Sequence, residues 1–313
     1  MEARRPAGMG KGPLFLILAY GFSWTLLALY LLLGGRWQAP WSTLVLVAYM
    51  FGPLAAALVV QRAVYREPVR APLRISFRLN RWFLVAWFLP VGLALATLGI
   101  SLLLPGIRFS PDMAGMVERF RGLLTAEQLR QMQEQITRLP VHPFWLTLVQ
   151  GLLAGATVNA VAAFGEELGW RGLLLRTWEG LGFWRASLVT GLAWGFWHAP
   201  VILLGHNFPQ HRVAGIFVMT VGTTLLAPLL SYVTLRAKSV VAAAVAHGTF
   251  NATAGLAILV IRGGTDLTTG VFGLPGLVAL ALANLAIFVY DRVWSAEPLM
   301  GGFAGNPKGA EKA

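Results

Sequence analysis

Cysteine is absent from this 313-residue chain, and charge is scarce. Without a thiol, disulfides and thiolate chemistry are excluded, and the redox compartment leaves no mark on the sequence. Charged residues make up 12% and hydrophobic residues 57%, whereas an ordinary soluble domain carries about 25% charged residues. Acidic side chains are scarcer still, 13 against 25 Lys and Arg. There is too little polar surface to clothe a soluble protein of this size. Segments alternating apolar and polar, the signature of a membrane β-barrel, are missing. So is an obvious internal repeat. The first apolar run lacks a small-residue cleavage site, so it reads as a span rather than a signal peptide.

Long apolar runs are abundant. A helix of about 20 apolar residues crosses a bilayer core, and eight runs approach that length: Pro13–Leu33, Trp41–Val60, Trp82–Leu104, Phe144–Phe164, Ala186–Leu204, Ala214–Thr234, Ser239–Ile261 and Gly273–Tyr290. Lipid offers no partner to an open backbone, so such runs must be helical. The expected fold is an all-α polytopic membrane bundle of about eight transmembrane helices, one domain over residues 12–293. Residues 1–11 and 294–313 read as flexible tails.

Placement of the basic residues sets an expected orientation. Arg4, Arg5 and Lys11 precede the first run; Arg62, Arg66, Arg70, Arg74, Arg78 and Arg81 follow the second. Arg176, Arg185, Arg236, Lys238, Arg292, Lys308 and Lys312 fall in loops on the same side, while the opposite short loops hold only Arg36, Arg212 and Arg262. Positive charge concentrates on the cytoplasmic side, so both termini are expected there. The net charge of +12 then serves topology and anionic headgroups. No basic-aromatic motif accompanies it, so nucleic acid is not an expected partner.

One long loop, residues 105–143, is expected outside as two short amphipathic helices. Met116, Val117, Phe120, Leu123 and Leu124 share one face, and Leu129, Met132, Ile136 and Leu139 continue a stripe. Thr125 with Gln128 has the spacing of a capping box. The pair can lie on the bilayer surface, or serve as a lid or substrate guide.

Ionisable groups inside a span cost about 2.5–3.5 kcal/mol each on insertion scales and are functional candidates by default. They fall in three places within residues 164–251. Glu166 and Glu167 are followed by Arg171; His198 lies between Trp197 and Ala199-Pro200; His247 and Asn251 stand one turn apart. Adjacent residues of a helix point about 100° apart, so the two glutamates cannot easily share one role. Glu167 and Arg171, at i and i+4, can pair, which leaves Glu166 to face the bundle or the headgroups. Taken singly, His198 also reads as a hydrogen-bonded packing residue, and His247 with Asn251 as interhelical hydrogen bonding among Ala242, Ala243, Ala244, Ala246 and Gly248. Together they supply a base, a polarising partner and oxyanion donors, the inventory of an acid–base hydrolytic site. His142, His206 and His211 read as interfacial.

These motifs, Glu166-Glu167-x-x-x-Arg171, Trp194-x-x-x-His198 and His247-x-x-x-Asn251, resemble in order and spacing those of the CAAX-protease and bacteriocin-processing family of intramembrane peptidases. The resemblance covers residues 144–261. The family's commoner aromatic at the second motif is Phe, and Trp194 is expected to pack in its place. The resemblance implies an eight-helix core in a prokaryotic plasma membrane and hydrolysis of a peptide bond in a membrane-associated or prenyl-like peptide or protein. By motif position Glu166 would be the general base, His198 would hold and polarise the water, His247 and Asn251 would stabilise the oxyanion, and Glu167 and Arg171 would support them. The family is described both as zinc-dependent and as a metal-free glutamate protease. Zinc would take Glu166, His198 and His247 and leave a fourth position for water. Asn251 is a poor zinc ligand and no H-E-x-x-H is present, so catalysis without a cofactor is favoured. A non-catalytic membrane partner, such as an immunity or assembly protein, and a transporter are the alternatives.

Overall fold

The computed structural model of the protein describes residues 10–119, 121 and 124–300. The expected tail residues 1–9 and 301–313, and Phe120 and Leu123 of the amphipathic face, lie outside the described residues. The helices are α1 (Lys11–Leu32), α2 (Trp41–Met50), α3 (Gly52–Leu58), α4 (Arg81–Ser101), α5 (Ala114–Arg119), α6 (Ala126–Arg138), α7 (Pro143–Ala156) and α8 (Val158–Glu167). They continue as α9 (Leu175–Thr177), α10 (Phe183–Trp197), α11 (Ala199–Leu203), α12 (Arg212–Ala237), α13 (Val240–Thr253), α14 (Leu256–Leu259) and α15 (Leu274–Val293). Two π-helical stretches, Val59–Val64 and Leu168–Leu174, extend α3 and join α8 to α9.

Polar residues fix where helices begin. Asn80 accepts from the Trp82 amide at 3.0 Å to start α4, and Ser239 from the Val241 amide at 3.1 Å to start α13. Each satisfies an amide that has no partner inside its helix. The expected capping box opens α6: Thr125 Oγ1 accepts from Gln128 N at 3.2 Å, and Gln128 Oε1 from Thr125 N at 2.9 Å.

Among the described residues six helices are long and apolar enough to cross a membrane, and seven if the bent pair α7 with α8 and its continuation to Thr177 is one span, rather than the eight expected. The run Ala186–Leu204 is divided between α10, 15 residues long, and the short α11. Fifteen residues reach about 22 Å as a helix, short of a hydrocarbon core of about 30 Å. Pro200 lies just past the division and has no amide to give to the turn before it. The freed geometry is held from outside the helix: the Trp197 carbonyl accepts from the Tyr49 hydroxyl and the Trp24 indole. The other bend, 51°, sits at Thr157, whose φ of −122° and ψ of −100° are not helical.

At the centre stands α13, packed against α4, α7, α8 and α12, while α10 lies along α12. Small residues set these distances, as expected where lipid provides no drive for helices to associate. A Cβ on Gly191 would come within 2.6 Å of Thr224 Cα, and one on Gly195 within 2.5 Å of Thr220 Cα.

The two ends of the bundle differ. At one, Lys11 pairs with Glu67, Arg74 with Glu179 and Arg236 with Asp291. Asp291 also accepts from the amides of Leu299 and Met300, which ties residues 299 and 300 of the segment read as a tail to α15. At the other end the long loop is anchored rather than free. Its strand β1 (Arg108–Phe109) pairs antiparallel with β2 (Ile261–Arg262), and Arg119 donates to the Gly263 carbonyl at 2.7 Å.

The glycine contacts make a test. Gly191→Ala forces α10 away from α12, and overpacking of this kind costs about 1–3 kcal/mol. Gly92→Ala, whose new methyl meets nothing within 4 Å, should not lower the melting temperature in detergent, whereas Gly191→Ala should.

Candidate active site

The first motif straddles a change of helix type. Glu166 and Glu167 end α8, and the next seven residues, Leu168–Leu174, all buried, form the π-helical stretch. Both carboxylates are buried, at 2% and 0% exposure, and they diverge as adjacent helical residues must. Glu167 Oε1 accepts from Arg171 Nη1 at 3.1 Å, the expected i, i+4 pair, and also binds His247 Nδ1 at 2.8 Å. Glu166 turns the other way, and its Oε2 accepts from the Trp194 indole Nε1 at 2.6 Å.

Trp194 is the residue whose role sequence reasoning missed. Expected only to pack, it touches every charged or imidazole member of the three motifs except Glu167. Its indole N–H holds Glu166, its ring lies 4.3 Å from the Arg171 guanidinium, and its centroid is 5.2 Å from that of His247 and 5.8 Å from that of His198. The signal was the departure from Phe, since indole carries a donor that a phenyl ring lacks.

His198 sits in the break between α10 and α11. Its Nδ1 lies 2.9 Å from the Trp194 carbonyl. A carbonyl only accepts, so Nδ1 carries the proton and Nε2 of the neutral ring is left as an acceptor. Trp197 packs edge-on against this imidazole at 4.8 Å. Asn251, one turn beyond His247 on α13, is exposed, and its amide has no partner among the described residues.

Glu166, His198, His247 and Asn251 line one cavity of about 590 Å³. Glu167 and Arg171 stand behind it. Further lining residues come from outside the motifs: Leu46 and Met50 of α2, Arg119 of α5, and His206, Phe208 and Asp266 from loops. His206, expected to be interfacial, therefore faces the cavity, where burial lowers its pKa below the ordinary imidazole value. His211 is tied to Asp266, and His142 caps α7 through the Phe144 amide at 3.1 Å.

The zinc set raised from sequence is not assembled. Among the described residues no three His, Asp or Glu side chains group as metal ligands. The Nδ1 atoms of His198 and His247 are held by a carbonyl and by Glu167, and Glu166 gives one carboxylate oxygen to Trp194, so a metal would have only the Nε2 atoms and the other carboxylate oxygen to use.

The structure is thus a bundle of membrane-length helices in which an acid and two imidazoles line one cavity. Residues 140–253 match the family model described as Rce1-like, type II CAAX prenyl endopeptidase. The match supports a membrane peptidase of CAAX type at the level of that family. No curated protein matches the chain.

Removing one partner of a buried ion pair costs about 3–5 kcal/mol. Glu167→Ala strands Arg171, which is fully buried, and should lower the melting temperature steeply. Glu166→Gln keeps an oxygen for the Trp194 indole and should melt near the wild type. Equal melting of Glu167→Ala and wild type would show that the pair carries no such load.

Proposed function

We propose that the protein is an intramembrane endopeptidase that uses Glu166 to activate water against a peptide bond of a membrane-associated substrate. The observation that carries this reading is the single cavity shared by Glu166, His198, His247 and Asn251. Water at neutral pH needs a base to attack an amide. The Glu166 carboxylate has one oxygen on Trp194 and one left for the water. His198 Nε2 accepts a hydrogen bond from the water's other O–H and holds the water in line.

As the water oxygen bonds to the carbonyl carbon, its proton passes to Glu166 and the carbonyl oxygen becomes an oxyanion. Asn251 donates to that oxygen from its free amide. His247 already gives its Nδ1 proton to Glu167, so it donates from Nε2 only as an imidazolium. When the intermediate collapses, the C–N bond breaks and the leaving amine takes the proton from Glu166. Every step uses this chain's own groups.

Purified protein should cleave a membrane-anchored or prenylated peptide, and Glu166→Gln or His198→Ala should abolish cleavage without unfolding the protein. Asn251→Ala removes one oxyanion donor and should lower kcat by about 100- to 1000-fold. Trp194→Phe keeps the ring but not the N–H, and should lower kcat with KM little changed. Full cleavage by Glu166→Gln would end the proposal and favour a non-catalytic membrane partner. Activity should also survive chelation; stoichiometric metal whose removal abolishes cleavage would assign the three site residues to a metal instead.

A further inference from the structure

Arg119 belongs to none of the three motifs. It ends α5, in the long loop, and lies outside the matched residues 140–253. Even so it lines the cavity shared by Glu166, His198, His247 and Asn251, and among the described residues it is the one Lys or Arg that does. Its guanidinium is held but not neutralised. Nη2 donates to the Gly263 carbonyl at 2.7 Å, and Nε is buried without a partner. The acids around it are engaged elsewhere. Glu118, its neighbour in sequence, pairs with Arg262. Asp266 also lines the cavity, and its charge reaches Arg119. Yet one oxygen of Asp266 meets the His211 imidazole, and the other accepts from the amides of Gln210 and His211 at 2.7 and 3.3 Å. A carbonyl dipole does not cancel a full charge, and a cation drawn out of water without a counter-ion is costly.

The mounting of this charge is firm. Before α5, β1 pairs with β2, and the Ser110 amide donates to the Val260 carbonyl at 2.9 Å. Asp112 Oδ1 accepts from the Ala114 amide at 3.2 Å where α5 begins. Gly115 lies so close to β2 that a Cβ there would fall 2.2 Å from the Ile261 carbonyl oxygen. Glu118 Oε2 accepts from Arg262 Nε at 2.9 Å. A guanidinium on such a base, already tied at Nη2, loses little freedom when an anion binds it.

We propose that Arg119 is a specificity residue that binds a carboxylate of the peptide substrate, so that the protein selects peptides with an acidic group close to the bond it cuts. This rests on the peptidase reading of the site and adds the substrate chemistry. The guanidinium fork matches a carboxylate in shape and charge. Carboxylates are the ordinary anions of an unmodified peptide, on Asp and Glu side chains and at the chain end. Beside walls such as Phe208, Phe250 and Phe272, the attraction is less screened than in open water.

Membrane-anchored peptides that share one cleaved bond test this. The parent has no acidic residue and ends in an amide. One series carries a Glu scanned along the residues flanking the bond, and another peptide differs from the parent only in its free terminal carboxylate. With purified wild type, kcat/KM for a carboxylate peptide should exceed that for the parent by about 10- to 100-fold, the range of a hydrogen bond to a charged group. The gain should lie in KM. A gain in the Glu series assigns a side chain, and a gain with the free acid assigns the chain end. Arg119→Gln should bring the favoured peptide down to the parent. Arg119→Lys keeps the charge without the fork and should retain only part of the preference, which also covers a failure of Arg119→Gln to fold. A residue that merely anchors the loop would lower all peptides alike; that result would overturn the proposal, as would equal kcat/KM for charged and neutral peptides in the wild type, or an undiminished preference in Arg119→Lys. Binding of the same peptides to Glu166→Gln, followed by fluorescence anisotropy in detergent, needs no turnover. A carboxylate preference there that Arg119→Gln removes supports the role of Arg119 even if no peptide is cut. Cleavage with no such preference sinks that role and leaves Glu166 its own.

Discussion

Two neighbouring carboxylates buried in a lipid layer are the constraint on which the rest of this structure depends. An ionised carboxylate without partners in such a place is prohibitively costly. Glu167 meets the demand with two partners, a guanidinium from its own turn and an imidazole 80 residues away. That contact pins α13 to the end of α8 and fixes which nitrogen of His247 faces the cavity. Glu166, relieved of any structural ion pair, keeps an oxygen free. The difference follows from helix geometry: one residue step turns the second carboxylate away from the first, so an ion-paired and an unpaired carboxylate can be adjacent in sequence without competing.

Irregular helices deliver the polar heads. The bend at Thr157, the π-helical stretch after Glu167 and the break before Pro200 all lie in the segments that carry the site. π-Helical turns are rare and are frequent at functional sites. Here the irregular segments are held by neighbours that lie outside the motifs. Tyr49 and Trp24 cover the Trp197 carbonyl, and Phe15 closes on Trp170 with ring centroids 5.2 Å apart. Spans without functional side chains thus keep the interrupted ones in place.

What could be read from sequence was local. The Glu167–Arg171 pair, the one-turn spacing of His247 and Asn251, the capping box at Thr125 and the helical membrane class all depend on spacing within a few residues or on the length of apolar runs. Eight spans could not be distinguished from six or seven, because run length is blind to a break inside the run: Ala186–Leu204 is apolar throughout and still divides at His198. Contacts between distant segments left no trace either. Nothing in Arg119, Met50 or His206 announces a cavity wall, and the Glu167–His247 contact joins two motifs whose separation along the chain says nothing of their distance in space.

Trp194 shows where a family pattern and its physical content part. As an aromatic at the motif position it packs, and any ring would suffice for that. Placed between Arg171 and the two imidazoles, its indole face accommodates positive charge, an attraction worth about 2 kcal/mol or more once water is removed. Its edge adds what phenyl lacks, a donor aimed at Glu166. A hydrogen bond from the indole to Glu166 Oε2 holds the carboxylate in one orientation, so Trp194 acts on Glu166 through geometry rather than bulk. A ring change that looks conservative by volume therefore alters the chemistry of the acid beside it, and the second motif is better described as a donor to the first than as packing beneath His198.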